Sequence, residues 1–321
     1  IIIEHESSNA YKMITAPHFD LRTFAEIYAS KINARFMLSD TILRFETLGR
    51  KEFDGFNEVH PISFRTNLNG LDVAVSNPHS DDVGFRIFGE DSLEEIRKSL
   101  SKNKNIFVFS LRKGLATYTI CRDCGETVNC EKCIAPLTLY LSRDGKKRMF
   151  ICNKCGTEKS PETRCSHCTS WNLMLLGIGI DTVYEEIKTN FPNTKIYKID
   201  RESVKNSKEA KRIIEEFEKQ KGAILIGTEM AFFYLHEKVE LSLVASFDAL
   251  WSIPNFKMSE KIIQILLAII SKTDKKVIIQ TKNLNDGAIL AVKGGNLTQF
   301  IREEIKDRQT LNYPPFQRFI K

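Results

Sequence analysis

The chain has 321 residues, 42% hydrophobic and 27% charged, with a formal net charge of +6, a pI near 8.8 and a mean hydropathy of −0.25. That length suggests two domains, or one large domain with an insertion, and the balance is that of a globular rather than a disordered or fibrous chain. The longest apolar run, "IIQILLAII", is broken by Gln264 and too short to cross a bilayer, so neither a membrane span nor a signal peptide is expected and the location reads as cytoplasmic.

In chain order, "III" opens as a strand with no preceding Met, as in a fragment. The helix "DLRTFAEIYASKI", strand "ARFMLS" and helix "TILRFETL" follow. These residues, 1–48, read as the end of one α/β unit, and 49–71 as a polar linker. Helix "SLEEIRKSL", with Ser92 and Glu95 as its capping box, leads into the buried strand "NIFVFSLRKG". After a cysteine-rich stretch come strand "WNLMLLGIG" and helix "TVYEEIKTNF", whose capping box is Thr182 and Glu185. Strand "KIYKID", helix "SKEAKRIIEEFEKQ" and strands "AILIGTEM" and "LSLVASFD" follow. Helix "MSEKIIQILLAIIS" and strand "KVIIQT" complete the alternation. Such alternation implies an α/β fold with a mainly parallel sheet and helices on both faces. Residues 72–117 and 173–296 would form that domain, 118–172 a module inserted between two neighbouring strands, and 297–321 the start of a further domain.

All eight cysteines lie in four CxxC pairs within 121–168. Two residues between thiolates let both sulfurs reach one ion about 2.3 Å away, the ligand spacing of tetrahedral zinc. Disulfides and an iron–sulfur cluster are the competing uses; two structural Zn²⁺ fit the pattern better. The segment "LTLYLSRDGKKRMFIC" alternates apolar residues, turns at Asp144-Gly145 and returns, a hairpin signature. Its open end brings Cys133 beside Cys152. Cys130, Cys133, Cys152 and Cys155 should therefore share one ion, leaving Cys121, Cys124, Cys165 and Cys168 for the other. Both sites would be full, hence structural rather than catalytic. The hairpin tip carries Arg143, Lys146, Lys147 and Arg148, as a solvated turn or as a contact to nucleic-acid phosphates.

At this point the chain resembles the PriA (primosomal protein N′) family of replication restart helicases, superfamily 2 DNA helicases. The four CxxC pairs after "SLRKG" carry the likeness most strongly. The stretches "LGIGIDTVYEEIKTNFPNTKIYKIDRES", "ILIGTEM", "IPNFKMSEK" and "RQTLNYPPF" add to it. The resemblance implies two RecA-like helicase lobes with an inserted two-zinc module in nested pairing. It further implies Mg²⁺-dependent ATP hydrolysis coupled to 3′-to-5′ unwinding. Its partners would be forked or single-stranded DNA, primosome proteins and single-strand-binding protein. By the same resemblance "IIIEHESSNAYK" corresponds to helicase motif II, with Glu4, His5 and Glu6 at its acids, and "LSDTILRFET" to motif III, with Asp40 and Ile42 where the family has Ala and Pro. Phe233 and Tyr234 stand for a Lys and Gly after "GTEM", and Lys272 and Lys275 for the two motif VI arginines. No GxxxxGK[ST] loop occurs. Together these departures imply a degenerate ATPase.

Three readings follow. The first is a PriA-like restart protein that binds DNA without efficient ATP hydrolysis. The others are an active helicase and a zinc-ribbon interaction scaffold without DNA binding. Trp171, Phe232, Phe233, Tyr234 and Trp251 are candidate base-stacking aromatics, with core packing as the alternative use. Between Cys121 and Cys168, nine basic and six acidic side chains are offset by eight thiolates and two Zn²⁺, leaving the module formally near −1.

Overall fold

The structure, a computed structural model, describes residues 1–13, 15, 18–51, 56–59, 68, 70–77, 86–112, 118–141 and 148–317. They group into two compact units, 1–67 with 291–321, and 68–290.

In the first unit, β1 (Ile2–Glu4) and β2 (Met37–Ser39) pair in parallel around α1 (Leu21–Lys31). Asp20 starts α1 by accepting the Arg22 backbone N–H at 3.0 Å. The short α2 (Phe45–Arg50) follows.

The second unit opens with β3 (Asp72–Ser76), α3 (Glu90–Ser101) and β4 (Ile106–Phe109). Every residue of β4 is buried, as a strand covered on both faces requires. The chain then leaves the sheet for the cysteine-rich module: β5 (Tyr118–Cys121), β6 (Thr138–Leu141), β7 (Arg148–Ile151), β8 (Glu158–Lys159) and β9 (Leu173–Leu176). It returns through α4 (Ile180–Asn190), β10 (Ile196–Ile199), α5 (Ser207–Lys219) and β11 (Ile224–Gly227). After these come α6 (Ala231–Tyr234), β12 (Val239–Val244), α7 (Asp248–Trp251), α8 (Met258–Ser271), β13 (Thr273–Gln280) and α9 (Gly287–Lys293). The last helix, α10 (Thr298–Thr310), packs on α2 within the first unit, where the buried Arg308 guanidinium lies 5.3 Å from the Phe45 ring centre.

Six strands of the second unit form one sheet in the order β10-β11-β4-β12-β13-β3, every neighbour parallel. The expected α/β architecture is present. The chain leaves β4 toward one edge of the sheet and β12 toward the other, so the crevice between their carboxyl ends is the topological switch point. At Gly227, the end of β11, a Cβ would lie 2.7 Å from that of Ala231 and 2.9 Å from Ile199 Cγ2, so only glycine fits.

Three local expectations are corrected. "WNLMLLGIG" does not join the parallel sheet; β9 pairs antiparallel with β5 inside the module, and the chain re-enters the domain at α4. Neither expected capping box forms, because both helices start earlier, at Gly89 and Gly179. Tertiary partners hold the residues that lead into α3. The Glu186 carboxylate of α4 accepts the N–H groups of Ile87 and Phe88 at 2.9–3.1 Å, and Gln280 Oε1 accepts that of Gly89 at 3.0 Å.

Gln280 ties the carboxyl edge of the sheet together. Its Nε2 donates to Ile87 O at 2.9 Å and Ala245 O at 3.2 Å, and the residue is 1% exposed. Leucine there would strand three buried backbone groups, each costing about 1–3 kcal/mol before relaxation. Gln280→Leu is expected to lose about 2–4 kcal/mol, read as a lower urea midpoint at unchanged m-value; an unmoved midpoint would remove Gln280 from this role.

Candidate metal centre

Each CxxC pair sits in the same turn, built four times. The first cysteine's carbonyl accepts the N–H of the residue four positions on: Gly125 from Cys121, Ile134 from Cys130, Gly156 from Cys152 and Thr169 from Cys165, at 2.8–3.0 Å. The first cysteine's own N–H donates one residue further, to Glu126, Ala135, Thr157 and Ser170. Closing this loop requires the fourth position to be left-handed, with φ of +74, +63, +71 and +58° respectively. Glycine accepts this without cost at two knuckles; β-branched Ile134 and Thr169 hold it at the other two against their own preference.

The knuckles assemble in two fours. The thiols of Cys121, Cys124, Cys165 and Cys168 lie within 4.8 Å of one another, and so do those of Cys130, Cys133, Cys152 and Cys155. The shortest Sγ–Sγ separations are 3.4 Å for Cys121–Cys168 and Cys133–Cys152, 3.5 Å for Cys124–Cys165 and 3.6 Å for Cys130–Cys155. Sulfurs about 2.3 Å from a shared ion in a tetrahedron stand about 3.8 Å apart, whereas a disulfide needs about 2.05 Å. The donor set therefore fits a closed tetrathiolate, and both clusters could hold zinc. The nested grouping follows from the fold. β6 and β7 pair antiparallel from Thr138↔Ile151, setting Cys133 beside Cys152, while β5 and β9 pair from Cys121↔Leu173, bringing the fourth knuckle to the first.

One thiol of each cluster is eased toward ionisation, while Cys124, Cys133, Cys152 and Cys168 are shifted up. Burial opposes the Cys155 thiolate, but the Thr157 hydroxyl and N–H outweigh it and bring the thiol down to about 6. Burial likewise opposes Cys121, where the N–H groups of Cys124 and Asp123 lower it to about 7. Burial and neighbouring thiols push Cys124 up to about 12. Each cluster thus offers one readily formed thiolate at neutral pH, and a metal would displace the remaining protons.

The module rests on the carboxyl edge of the sheet through the residues between its cysteines. In the third knuckle, Asn153 Nδ2 donates to Ser252 O at 2.5 Å. The adjacent Lys154 Nζ reaches the buried Asp286 carboxylate at 3.2 Å and lies 4.0 Å from the Trp251 ring centre. After the first knuckle, Glu126 pairs with Lys282 at 2.6 Å. Between module and sheet lies a cleft of about 30 Å³, lined by Arg86, Tyr118, Ile178, Asp248, Gln280 and Lys282. That is about the share of one water molecule in the liquid and far below a nucleotide's needs. Burial pushes both the Tyr118 phenol and the Asp248 carboxyl up, so both are neutralised more readily than in water. Sequence reasoning missed these docking residues. Their signal was their position inside or just after a CxxC turn, where the backbone is fixed and a side chain is aimed.

Of the hairpin-tip residues, Arg143, Lys146 and Lys147 lie outside the described residues; Arg148 opens β7. Among the aromatic candidates, Trp251 is buried and Phe232 stacks on Phe109 at 5.7 Å, both core uses; Tyr234 is half-buried. Trp171 and Phe233 are exposed, at 43% and 75%. Glu4 ends β1 and is exposed, and His5 follows in a left-handed conformation at φ +51°. Glu6 is fully buried. It accepts from Arg44 Nε at 3.0 Å, from the Arg44 backbone N–H and from the Thr47 hydroxyl. Lys272 caps α8 and donates to Leu235 O at 2.6 Å, and Lys275 is exposed on β13. Both lie at the amino end of β13, whereas the cleft opens at its carboxyl end.

Fold and site together define an α/β protein with a parallel six-stranded sheet and an inserted module bearing two tetrathiol clusters. No protein-family model matches the chain. Among curated proteins it is similar to the replication restart protein PriA of Borreliella burgdorferi, at 27% identity over all of this chain and 48% of that protein. It is similar to PriA of Haemophilus influenzae (23%, 98% of this chain, 43% of that protein) and of Bacillus subtilis (24%, 98% and 40%). The chain is thus related to the PriA proteins along its whole length, and it spans about half the length of the curated relatives it matches. Among solved structures, the crystal structure of T4 UvsW aligns over 88% of this chain and 49% of that chain at 11% identity, with a TM-score of 0.28. A superposition that loose adds nothing to what the strand order gives. No helix among the described residues is long and apolar enough to cross a membrane.

Elemental analysis is expected to give two zinc ions per chain. Cys133→Ser and Cys152→Ser should each remove the same ion, and Cys121→Ser the other; a different grouping in site-resolved structures would refute the pairing. The left-handed positions give a second test. A Cβ at Gly156 meets nothing within 4 Å, so Gly156→Ile is expected to cost the backbone term alone, about 1–2 kcal/mol. The reverse change, Ile134→Gly, should gain under about 1 kcal/mol, since glycine's freedom in the unfolded chain returns part of the benefit. Thermal unfolding and zinc release to a chelator should move in opposite directions for the two variants.

Proposed function

We propose that the chain is the metal-stabilised part of a cytoplasmic PriA-like replication restart protein. In this reading it binds forked or single-stranded DNA and primosome partners, and its ATPase is degenerate. The observation that carries it is the similarity to PriA over the whole chain, together with two clusters of thiols grouped as tetrahedral sites. Bound zinc would supply a closed structural centre with no open coordination position. Cys121, Cys124, Cys165 and Cys168 would hold one ion and Cys130, Cys133, Cys152 and Cys155 the other. Asn153 and Lys154 would transmit that order to the sheet edge.

The side chains at the family's catalytic positions support the loss of ATP turnover. Glu6 is consumed by Arg44 and Thr47, so it is not free to orient a water. His5 offers no carboxylate. Lys272 keeps a charge without the bidentate fork of arginine, and that charge is spent on Leu235 O. An arginine finger is worth about 10³–10⁵ in rate, so these departures together point to a cleft that does not turn over.

Two measurements test the proposal. Fork binding by the zinc-loaded protein should weaken when Arg143, Lys146, Lys147 and Arg148 are all replaced by Ala. The slope of log affinity against log salt should then fall by up to about 0.9 per lost duplex contact. The full-length gene product should release no phosphate from ATP on forked DNA. Turnover near about 1 per second would restore the active-helicase reading.

A further inference from the structure

The loop between the fourth knuckle and β9 carries an exposed indole flanked by two guanidinium groups. Arg164 Cζ lies 4.6 Å from the Trp171 ring centre and Arg148 Cζ lies 5.8 Å from it, with Arg148 also 5.2 Å from Phe150. Arg122 is fastened to the same loop, its backbone N–H donating to Asn172 O at 2.8 Å and its Nε contacting Met174 Sδ at 3.0 Å. No carboxylate among the described residues pairs with any of these arginines. Nearby Lys154, Lys159 and Lys282 each hold one. Arg148 Nε and Nη2 are buried with no hydrogen-bond partner among the described residues. The acid next to the loop, Asp123, is already engaged on both oxygens, by the Ser170 hydroxyl and by Asn172 Nδ2 at 2.7 Å.

The exposed Arg122 and Arg164 guanidinium groups, free of carboxylates among the described residues, offer donors that suit an anion with several acceptor oxygens, and Arg148 adds its charge beside the indole. An indole exposed to 43% beside them offers a π-face that any base can cover. We propose that Trp171, Arg122, Arg148 and Arg164 form a binding site for single-stranded nucleic acid, a base stacking on Trp171 and backbone phosphates engaging the arginines. The proposal rests on the nucleic-acid reading above and gives it a location. Phosphate contacts from arginine carry no sequence information, and stacking tolerates any base, so the site would hold a strand without reading it.

The chain has two tryptophans, so Trp251→Phe leaves Trp171 as a direct reporter. In that protein, a fluorescein-free oligo(dT) of about 15 nucleotides should quench the remaining emission. By anisotropy of the labelled oligonucleotide, Trp171→Ala should weaken binding by between about fivefold and a hundredfold, with Trp171→Phe keeping most of the affinity. Arg148→Ala with Arg164→Ala should flatten the salt dependence. Retention of two zinc ions per chain certifies the fold of each variant. If Trp171→Ala sheds zinc, the Phe and Arg variants carry the test. Unchanged oligo(dT) affinity in zinc-loaded Trp171→Ala would overturn the site while leaving DNA binding intact. No binding of oligo(dT) or forked DNA by the unmodified protein would overturn both. Quenching by a polyglutamate peptide and not by oligo(dT) would assign the patch to an acidic protein partner and overturn the proposal.

Discussion

The constraint on which the module depends is the meeting of four sulfurs from distant parts of the chain. Cys121 and Cys168 are brought to 3.4 Å across the whole cysteine-rich stretch. The hydrophobic side chains there, chiefly Val128, Leu137, Leu139 and Phe150, make too small a core to fold that length alone. Metal–thiolate bonding can supply what the core lacks, on the order of 10–16 kcal/mol for a structural zinc in comparable peptides. Such a surplus would let the second and fourth knuckles tolerate Ile134 and Thr169 in a left-handed conformation costing about 1–2 kcal/mol each. A fold held by its core alone would be under more pressure to place glycine at all four positions.

The second constraint is polar and lies at the carboxyl edge of the sheet. Helices α3 and α4 begin at glycines with no capping side chain of their own, and at α3 Gln280 and Glu186 satisfy the N–H groups of Ile87, Phe88 and Gly89 just ahead of the helix. Along this edge the module contributes Glu126, Asn153 and Lys154, and the sheet answers with Lys282, Ser252 O and Asp286. Both thiol clusters are therefore wired to the domain, the third knuckle most directly. Disorder in the second cluster would be felt at Trp251 and Asp286, whereas the first mainly closes the module's own stem.

What was legible in the sequence had short-range physical signals. Buried runs such as "IFVF" and "ILIG", the amphipathic "SKEAKRIIEEFEK" and the alternating arms of the hairpin fell where expected, and the hairpin register alone grouped the thiols. What was not legible depended on partners far along the chain. Ser92 and Thr182 looked like caps because Glu95 and Glu185 stood three residues on; the lead-in to α3 is instead held by Gln280 and Glu186, about 190 and 100 residues along the chain from it. The strand "LMLL" was apolar enough for the main sheet, but its backbone pairs antiparallel with β5 next to the first and fourth knuckles. Glu6 reads as a helicase acid in sequence, yet it is buried and tied to Arg44 and Thr47 as a structural contact.

Charge bears on the proposed nucleic-acid binding by the module. With zinc bound to eight thiolates its formal charge is near −1, which offers no long-range attraction to a polyanion. Distribution decides the matter where the sum does not. Four of the eight cysteines are buried and the other four half-buried, so with zinc bound the negative charge would sit on sulfurs inside the knuckles. Arg122 and Arg164 stand outside with no carboxylate among the described residues to neutralise them, and Arg148 is beside them. At physiological salt, where screening acts over about 8 Å, a strand lying on the surface responds to the guanidinium groups it touches more than to the module's total. On the proposed reading a nearly neutral module would hold nucleic acid by contact without drawing it from a distance, since the eight thiolates and two Zn²⁺ also lower the formal +6 of the whole chain to +2 and leave little long-range steering.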